Sequence, residues 1–380
     1  MKINYGEQWI SQDDIESVVS ALKSEMITQG PILEKFEVAL SKYTGSKYCK
    51  VFNSATSALH AACFALGLAE GDVVWTSPNT FVATANVAHM CGANVNFIDI
   101  NINTRNLDPN RLETQLKLAD KNSCLPNLVI PVHFSGLSCD MESIKYLSNR
   151  YGFKILEDAS HAIGAEYNGK KIGSCIYSDI TVFSFHPVKI ITTGEGGAAL
   201  TNDNELARKL DNIRSHGVVR NKDKLYNQQQ PNFYYEMQEL GFNYRMTDIQ
   251  AALGLSQLSK LDMFISKRNE LARHYELLFA DHEFNQLIVP DNSRSSHHLY
   301  TLCVNNRDAL YSYMHSLGIK VNVHYIPVHL HPYWANMGFR KGDFPNAESY
   351  YERAITLPLH PKLKLKEIEI IASEFINFLR

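Results

Sequence analysis

The chain has no C-x-x-C pair, no block of charge of one sign and no unbroken apolar stretch of membrane-spanning length. Its seven cysteines (Cys49, Cys63, Cys91, Cys124, Cys139, Cys175 and Cys303) are odd in number and scattered. That argues against a disulfide framework or a thiolate zinc site and fits the reduced thiols of a cytoplasmic protein. The most apolar segment, Ala55 to Ala69, is broken by Thr56, Ser57 and His60, and it falls short of the roughly 18–20 residues a span needs. The opening MKINYGE lacks the apolar core of a secretory signal, so the expectation is a soluble cytoplasmic chain without a membrane partner. Thirty-seven Lys and Arg against 40 Asp and Glu leave a net charge of −3, which supplies no field for nucleic acid. Internal repeats and low-complexity segments are absent as well. No G-x-G-x-x-G follows a first strand, and the GEGG at 194–197 comes late with the wrong spacing, which counts against a dinucleotide-binding oxidoreductase.

What is present is a globular composition, 45% hydrophobic and 20% charged over 380 residues, enough for two domains. Ser11 followed by Ile15, Val18, Val19 and Leu22 predicts an N-terminal amphipathic helix, and Ile368, Ile371, Ala372, Phe375 and Leu379 predict a C-terminal one. Between them, short apolar runs at 73–75, 95–98, 128–132, 153–156 and 181–185 alternate with helical patterns. That alternation predicts an α/β architecture, a largely parallel sheet covered by helices on both faces. Residues 217–245 show no period but carry Tyr226, Phe233, Tyr234 and Tyr235, which fits a functional loop better than disorder. Thr247 with Gln250 reads as a capping box that opens a long helix toward a smaller domain. The expected division is a large domain over 1–255 and a small C-terminal α+β domain over 256–380.

Ligands bind at the carboxyl edge of such sheets, and three segments place reactive residues there. Asn53 to Ser57 opens a helix after the short run 50–52; it reads as an ordinary N-cap or as an anion cup of free N–H groups. Asp158 ends one strand, as a helix cap or as a carboxylate aimed into a site. Lys189 follows the strand 181–185 and precedes Ile190 and Ile191. Most lysines are solvated surface charges, but one held among apolar residues loses its proton more readily and becomes a nucleophile. Asp158 and Lys189 in this order suit pyridoxal 5′-phosphate (PLP). The lysine would bond to the cofactor and the carboxylate would keep its pyridine nitrogen protonated. Ser184 and the anion cup would hold the phosphate, and Phe81 would either stack on the ring or pack in the core.

Seven motifs in order then resemble the DegT/DnrJ/EryC1/StrS sugar aminotransferases: TQGP at 28–31, NSATSAL at 53–59, TFVAT at 80–84, EDASHAIGA at 157–165, SFHPVK at 184–189 with GEGG at 194–197, GFNYRM at 241–246 and VHYIPVHLHPYW at 323–334. The resemblance spans nearly the whole chain and implies the aspartate aminotransferase (type I) fold of PLP-dependent transferases. It makes Lys189 the Schiff-base lysine and Asp158 the partner of the pyridine nitrogen. His161, at a position where many relatives have Gln, falls near the ring's phenolic oxygen. Ala55, which replaces the usual Gly, binds the phosphate with Thr56 and Ser184, and Phe81 covers the ring. Asn243 completes the phosphate site of a neighbouring subunit, which implies a homodimer. A branch of the family with His in place of the lysine is a dehydratase, so Lys189 favours amino transfer.

Within the family the wording is most similar to the transaminases of pseudaminic acid biosynthesis. This implies transfer from L-glutamate to C4 of UDP-2-acetamido-2,6-dideoxy-β-L-arabino-hex-4-ulose, with Thr28, His324, Tyr325 and His329 on the sugar substrate. Another nucleotide keto-sugar, dTDP- or GDP-linked or aminated at C3, and a PLP-binding protein without turnover are the alternatives. The spacing of His324, His329 and His331 matches no common metal-ligand pattern, so no metal is expected.

Overall fold

A computed structural model describes residues 2–282 and 284–379. Seven strands form the main sheet: β1 (Tyr48–Phe52), β2 (Val73–Thr76), β3 (Asn94–Phe97), β4 (Leu128–Ile130), β5 (Lys154–Asp158), β6 (Ile180–Ser184) and β7 (Gly197–Thr201), in the order β1-β7-β6-β5-β4-β2-β3. Neighbours from β6 through β3 pair in parallel. β7 runs antiparallel to both β1 and β6. The five apolar runs of the sequence are all strands here.

Side chains alternate between two cores, as the pleat requires. Val51, Ile155, Phe183 and Leu200 pack on one face, and Phe52, Leu156, Val182 and Ala199 on the other. Both faces are therefore covered, which is why the central strands β4 and β6 are largely apolar.

A third core lies in the C-terminal part. It joins the antiparallel strands Asn285–Gln286, Tyr300–Cys303 and Ala354–Leu357 to the helices Arg307–Ser316 and Leu365–Leu379. Ile368, Ile371, Ala372 and Phe375 of the last helix are buried there. Ile3 also belongs to this core, because the N-terminal segment is stitched in by Ile3 N–H to Gly318 O (3.0 Å), Lys320 N–H to Ile3 O (2.8 Å) and Leu359 N–H to Tyr5 O (3.0 Å). The helix Leu261–Leu278 serves both halves. Leu261, Phe264 and Ile265 pack against the main sheet, whereas Leu271, Ala272 and Tyr275 enter the C-terminal core. The change of core thus falls inside this helix, downstream of the expected division at 255/256.

The N-terminal helix Gln12–Leu22 forms with Ser11 as its cap, but Ile15, Val19 and Leu22 of its apolar stripe are exposed on the protomer, as are Trp9, Ile10 and Ile27. The segment 217–245 carries a two-residue hairpin, Val218–Val219 with Glu236–Met237. Thr247 and Gln250 form the expected capping box of the helix Asp248–Leu258.

Candidate active site

β5 ends at Asp158 and β6 at Ser184, side by side on the carboxyl edge of the sheet. A cavity of about 590 Å³ opens above them, between that edge and the segment 322–325 of the C-terminal part. The volume suits a cofactor together with part of a substrate. Ala55, Thr56, Phe81, Asp158, His161, Ser184, Lys189, His324 and Tyr325 all line it.

The cup at 54–57 serves both of its readings. Ser54 caps the helix Ala55–Ala65 by accepting the Ser57 N–H at 3.1 Å. The N–H groups of Ala55 and Thr56 find no acceptor among the described residues and are left to an anion at the positive end of the helix. Ala55 is the first helical residue and has no positive φ, so the loss of the family's glycine costs nothing here. Glycine is required opposite it: a Cβ on Gly197 would lie 2.6 Å from Ala55 N and Cα. The close approach of β7 to the cup depends on its absence.

Asp158 is buried. Its Oδ1 accepts from Ser160 Oγ (2.5 Å) and N (3.1 Å), and Oδ2 accepts from Thr84 Oγ1 (2.6 Å). An ionised carboxylate offers about four lone-pair directions, so three donors leave one for a protonated ring nitrogen. Lys189 is half-buried, and its amine makes no hydrogen bond or salt bridge among the described residues. Burial pushes it down to about 8, against the opposing pull of Asp158. It is therefore far closer to a neutral amine at working pH than a surface lysine. Phosphate donors, a carboxylate with a vacant direction and a depressed lysine around one cavity fit PLP.

Phe81 is 58% exposed, so it is a wall of the cavity rather than a core residue, with its ring centroid 6.3 Å from that of Tyr325. His324 Nδ1 lies 2.8 Å from Thr356 Oγ1, and burial with the nearby Lys189 charge pushes its imidazole down to about 3. Burial, Lys189 and His324 likewise hold His161 well below the usual histidine range. Both rings are therefore neutral.

Three expected site residues do not line this protomer's cavity. His329 is fully buried, with Nε2 2.9 Å from Glu348 Oε1 and its ring against Phe344. It braces the chain behind the cavity, and its assignment to the sugar is corrected to a structural role. Thr28 is exposed and pairs with Thr247. The adjacent Asp248 carboxylate accepts from the N–H groups of Gly30 (2.7 Å) and Ile32 (3.0 Å), so part of the TQGP motif is a helix-capping device. Asn243 is exposed too, and its carbonyl accepts from Asn53 Nδ2 at 3.3 Å. Sequence reading missed Tyr5, which lines the cavity beside His324, and the carboxylate partners Thr84 and Ser160. Among the described residues no three His, Cys, Asp or Glu side chains are placed to hold a metal, and no helix is long and apolar enough to cross a membrane.

Sheet, site and lysine define a PLP-dependent transferase of the aspartate aminotransferase type I fold. Comparison narrows the class: residues 8–375 match the model of the DegT/DnrJ/EryC1/StrS aminotransferase family, to which the chain belongs. The chain is similar to a UDP-4-amino-4,6-dideoxy-N-acetyl-beta-L-altrosamine transaminase of Campylobacter jejuni, with 40% identity over 99% of this chain and 97% of the relative. Among solved structures it is similar to PseC of Helicobacter pylori, an aminotransferase involved in the biosynthesis of pseudoaminic acid (34% identity, TM-score 0.90, 99% of both chains). It is also similar to the PLP-form of the sugar aminotransferase Spr1654 from Streptococcus pneumoniae (29% identity, TM-score 0.88, 99% of this chain and 98% of that one).

Proposed function

We propose that this aminotransferase moves an amino group from L-glutamate to C4 of a nucleotide-linked 4-keto-6-deoxy sugar, with UDP-2-acetamido-2,6-dideoxy-β-L-arabino-hex-4-ulose as the substrate. The observation that carries the reaction type is the depressed Lys189 amine beside Asp158 and the free N–H groups of Ala55 and Thr56 in one cavity. The sugar follows from the activity named for the Campylobacter relative.

PLP supplies the electron sink that stabilises negative charge on the carbon next to the transferred nitrogen. The chain supplies the rest. Ala55 and Thr56 N–H and Ser184 Oγ would bind the phosphate, and Asp158 would hold a proton on the ring nitrogen. Phe81 would shield one ring face. Lys189 would anchor the cofactor through Nζ, and its free amine would take the proton from the donor's α-carbon and return one to the product carbon. His324 faces the sugar end of the cavity.

The reading includes a homodimer in the cytoplasm. Trp9, Ile15, Val19, Leu22 and Ile27 are exposed apolar side chains on the N-terminal segment, which suits a face covered by a second copy. Thr28 and Asn243 are exposed on the segments that join at Thr247 and Asn53, available to the neighbouring subunit's phosphate and sugar. The seven free cysteines fit a reducing compartment.

The test is the absorption spectrum of the PLP-loaded protein before and after L-glutamate. A visible band that gives way to the pyridoxamine form, and returns when the UDP-4-keto-sugar is added, supports the reading. A band that glutamate leaves unchanged sinks it. Mixing Lys189→Ala with Asn243→Ala subunits probes the shared site. Recovery of activity in the mixture requires Asn243 to act across the dimer, because each single-variant assembly lacks one essential group at every site.

A further inference from the structure

His161 has a single proton to give, and its surroundings decide where that proton sits. Nδ1 accepts the backbone N–H of Ser135 at 3.3 Å, so the ring hydrogen is on Nε2. Nε2 lies 3.0 Å from Tyr325 Oη, with the two rings stacked at 5.9 Å. His161 therefore donates to Tyr325 and keeps no donor for a ligand. The Tyr325 hydroxyl accepts from His161, and its own proton has no acceptor among the described residues, while the side chain lines the cavity.

The position of that proton follows from the order of groups around the cofactor ring. Asp158 would hold the ring nitrogen, Lys189 would bond the aldehyde carbon, and the cup at Ala55 and Thr56 would take the phosphate arm. In PLP the phenolic oxygen is borne between the nitrogen and the aldehyde-bearing carbon, on the side away from the phosphate arm. Tyr325 and His161 line the same cavity as Asp158 and Lys189, Tyr325 in the field of Asp158 and His161 in that of Lys189.

We propose that Tyr325, oriented by His161, donates the hydrogen bond to the phenolic oxygen of PLP, and that His161 is a positioning residue one bond removed from the cofactor. This rests on the PLP reading above and goes beyond the resemblance, which puts residue 161 itself near that oxygen. A donor to the phenolate withdraws charge that otherwise raises the proton affinity of the adjacent lysine–cofactor nitrogen. The titratable groups facing Tyr325 and His161 are Asp158, Lys189, His298 (ring centroid 4.4 Å from that of His161), His324, Tyr5 and Tyr350. None of them is altered by the variants below.

The experiment is a pH titration of the visible band of the PLP-loaded protein without substrate. Tyr325→Phe is expected to raise the midpoint by about one to two pH units, a tenfold to hundredfold gain in proton affinity, the usual worth of a hydrogen bond to a charged group. His161→Gln, which keeps a donor for Tyr325, is expected to stay near wild type. His161→Leu, which frees the hydroxyl to turn, is expected to shift in the same direction by less. A midpoint unmoved in Tyr325→Phe, or moved more by His161→Leu, overturns the assignment and returns the contact to His161. An unmoved midpoint with a raised KM for the sugar also overturns it and places the proton on substrate. A wild-type protein with no visible band defeats the cofactor reading together with this one, whereas an unmoved midpoint defeats this one alone.

Discussion

Thr84 donates its hydroxyl to Asp158 Oδ2 at 2.6 Å, tying the helix Ala83–Met90 to the last residue of β5. Thr80 Oγ1 lies 2.8 Å from Thr84 Oγ1, and because the Thr84 proton is already committed, Thr80 is the donor of that pair. Replacing Thr84 with Val removes a donor from a buried carboxylate and is expected to cost about 1.5–3 kcal/mol in urea unfolding of the apoprotein. Thr84→Ser keeps the bond and should unfold close to wild type. Equal stability in the Val variant would show that the hydroxyl contributes nothing.

Lys189 sets a pH window. Its amine titrates at about 8 in the folded chain against an ordinary 10.5, because burial outweighs the pull of Asp158. Uptake of PLP by the apoprotein needs the neutral amine, so its rate should climb roughly tenfold per pH unit below that value and level off above it. Stopped-flow absorbance would follow it. The same shift makes the unfolded chain hold more protons than the folded one between about 8 and 10.5. Stability from this group therefore rises with pH across that window and gains nothing below it.

Gly197→Ala places a Cβ against the N and Cα of Ala55, backbone atoms that cannot swing aside as a flexible side chain would. The strand or the cup must shift, at about 1–3 kcal/mol, and the two free N–H groups move with it. PLP affinity, measured by equilibrium titration, is expected to fall about tenfold or more, the equivalent of at least ~1.4 kcal/mol.

His329 and Glu348 offer the contrary test. Burial pushes the Glu348 carboxyl up, and His329 together with the Gly342 and Phe344 N–H groups more than reverses that, leaving it below its ordinary 4.5. A depressed carboxyl stabilises the fold fully above that value and loses its contribution as pH falls through the lower folded-state value. His329→Ala breaks a buried pair and should lower stability by about 3 kcal/mol or more, with the acid transition moved to higher pH. The KM for sugar should stay unchanged in whatever fraction remains folded. A raised KM with intact stability would restore His329 to the substrate.

The sheet was legible where its strands are buried on both faces, since Leu128–Ile130 is wholly apolar and Ile180–Ser184 is rich in β-branched and aromatic residues. β7 was not legible, because Gly197-Ala198-Ala199 carries no β-branched or aromatic residue and its place in the sheet is fixed by pairing on both sides. Asp158 stood out at a strand end and Lys189 as a lysine just after a later strand, followed by Ile190 and Ile191; the fold brings both to one cavity with Ser184. Tyr5 could not stand out, because it reaches the cavity only after the N-terminus has been stitched to Leu359. His329 misled for the opposite reason: its neighbours in sequence line the cavity, while the 3₁₀ turn Val328–Leu330 carries it behind. The stripe of Ile15, Val19 and Leu22 predicted its helix correctly, but periodicity does not say whether the covering surface belongs to the same chain.

The helix Leu261–Leu278 is about 27 Å long at 1.5 Å per residue, and it carries buried side chains for two cores with no break between them. Midway along it, the buried Arg268 guanidinium donates to the carbonyls of Leu359 (2.8 Å), His298 (3.2 Å) and His297 (3.3 Å). Neither half can melt without stripping apolar cover from the other and stranding a charge that has no carboxylate beside it among the described residues. The two halves are therefore bound into a single cooperative folding unit, and truncation at either end of this rod would cost the cofactor half its foundation rather than yield a smaller working domain.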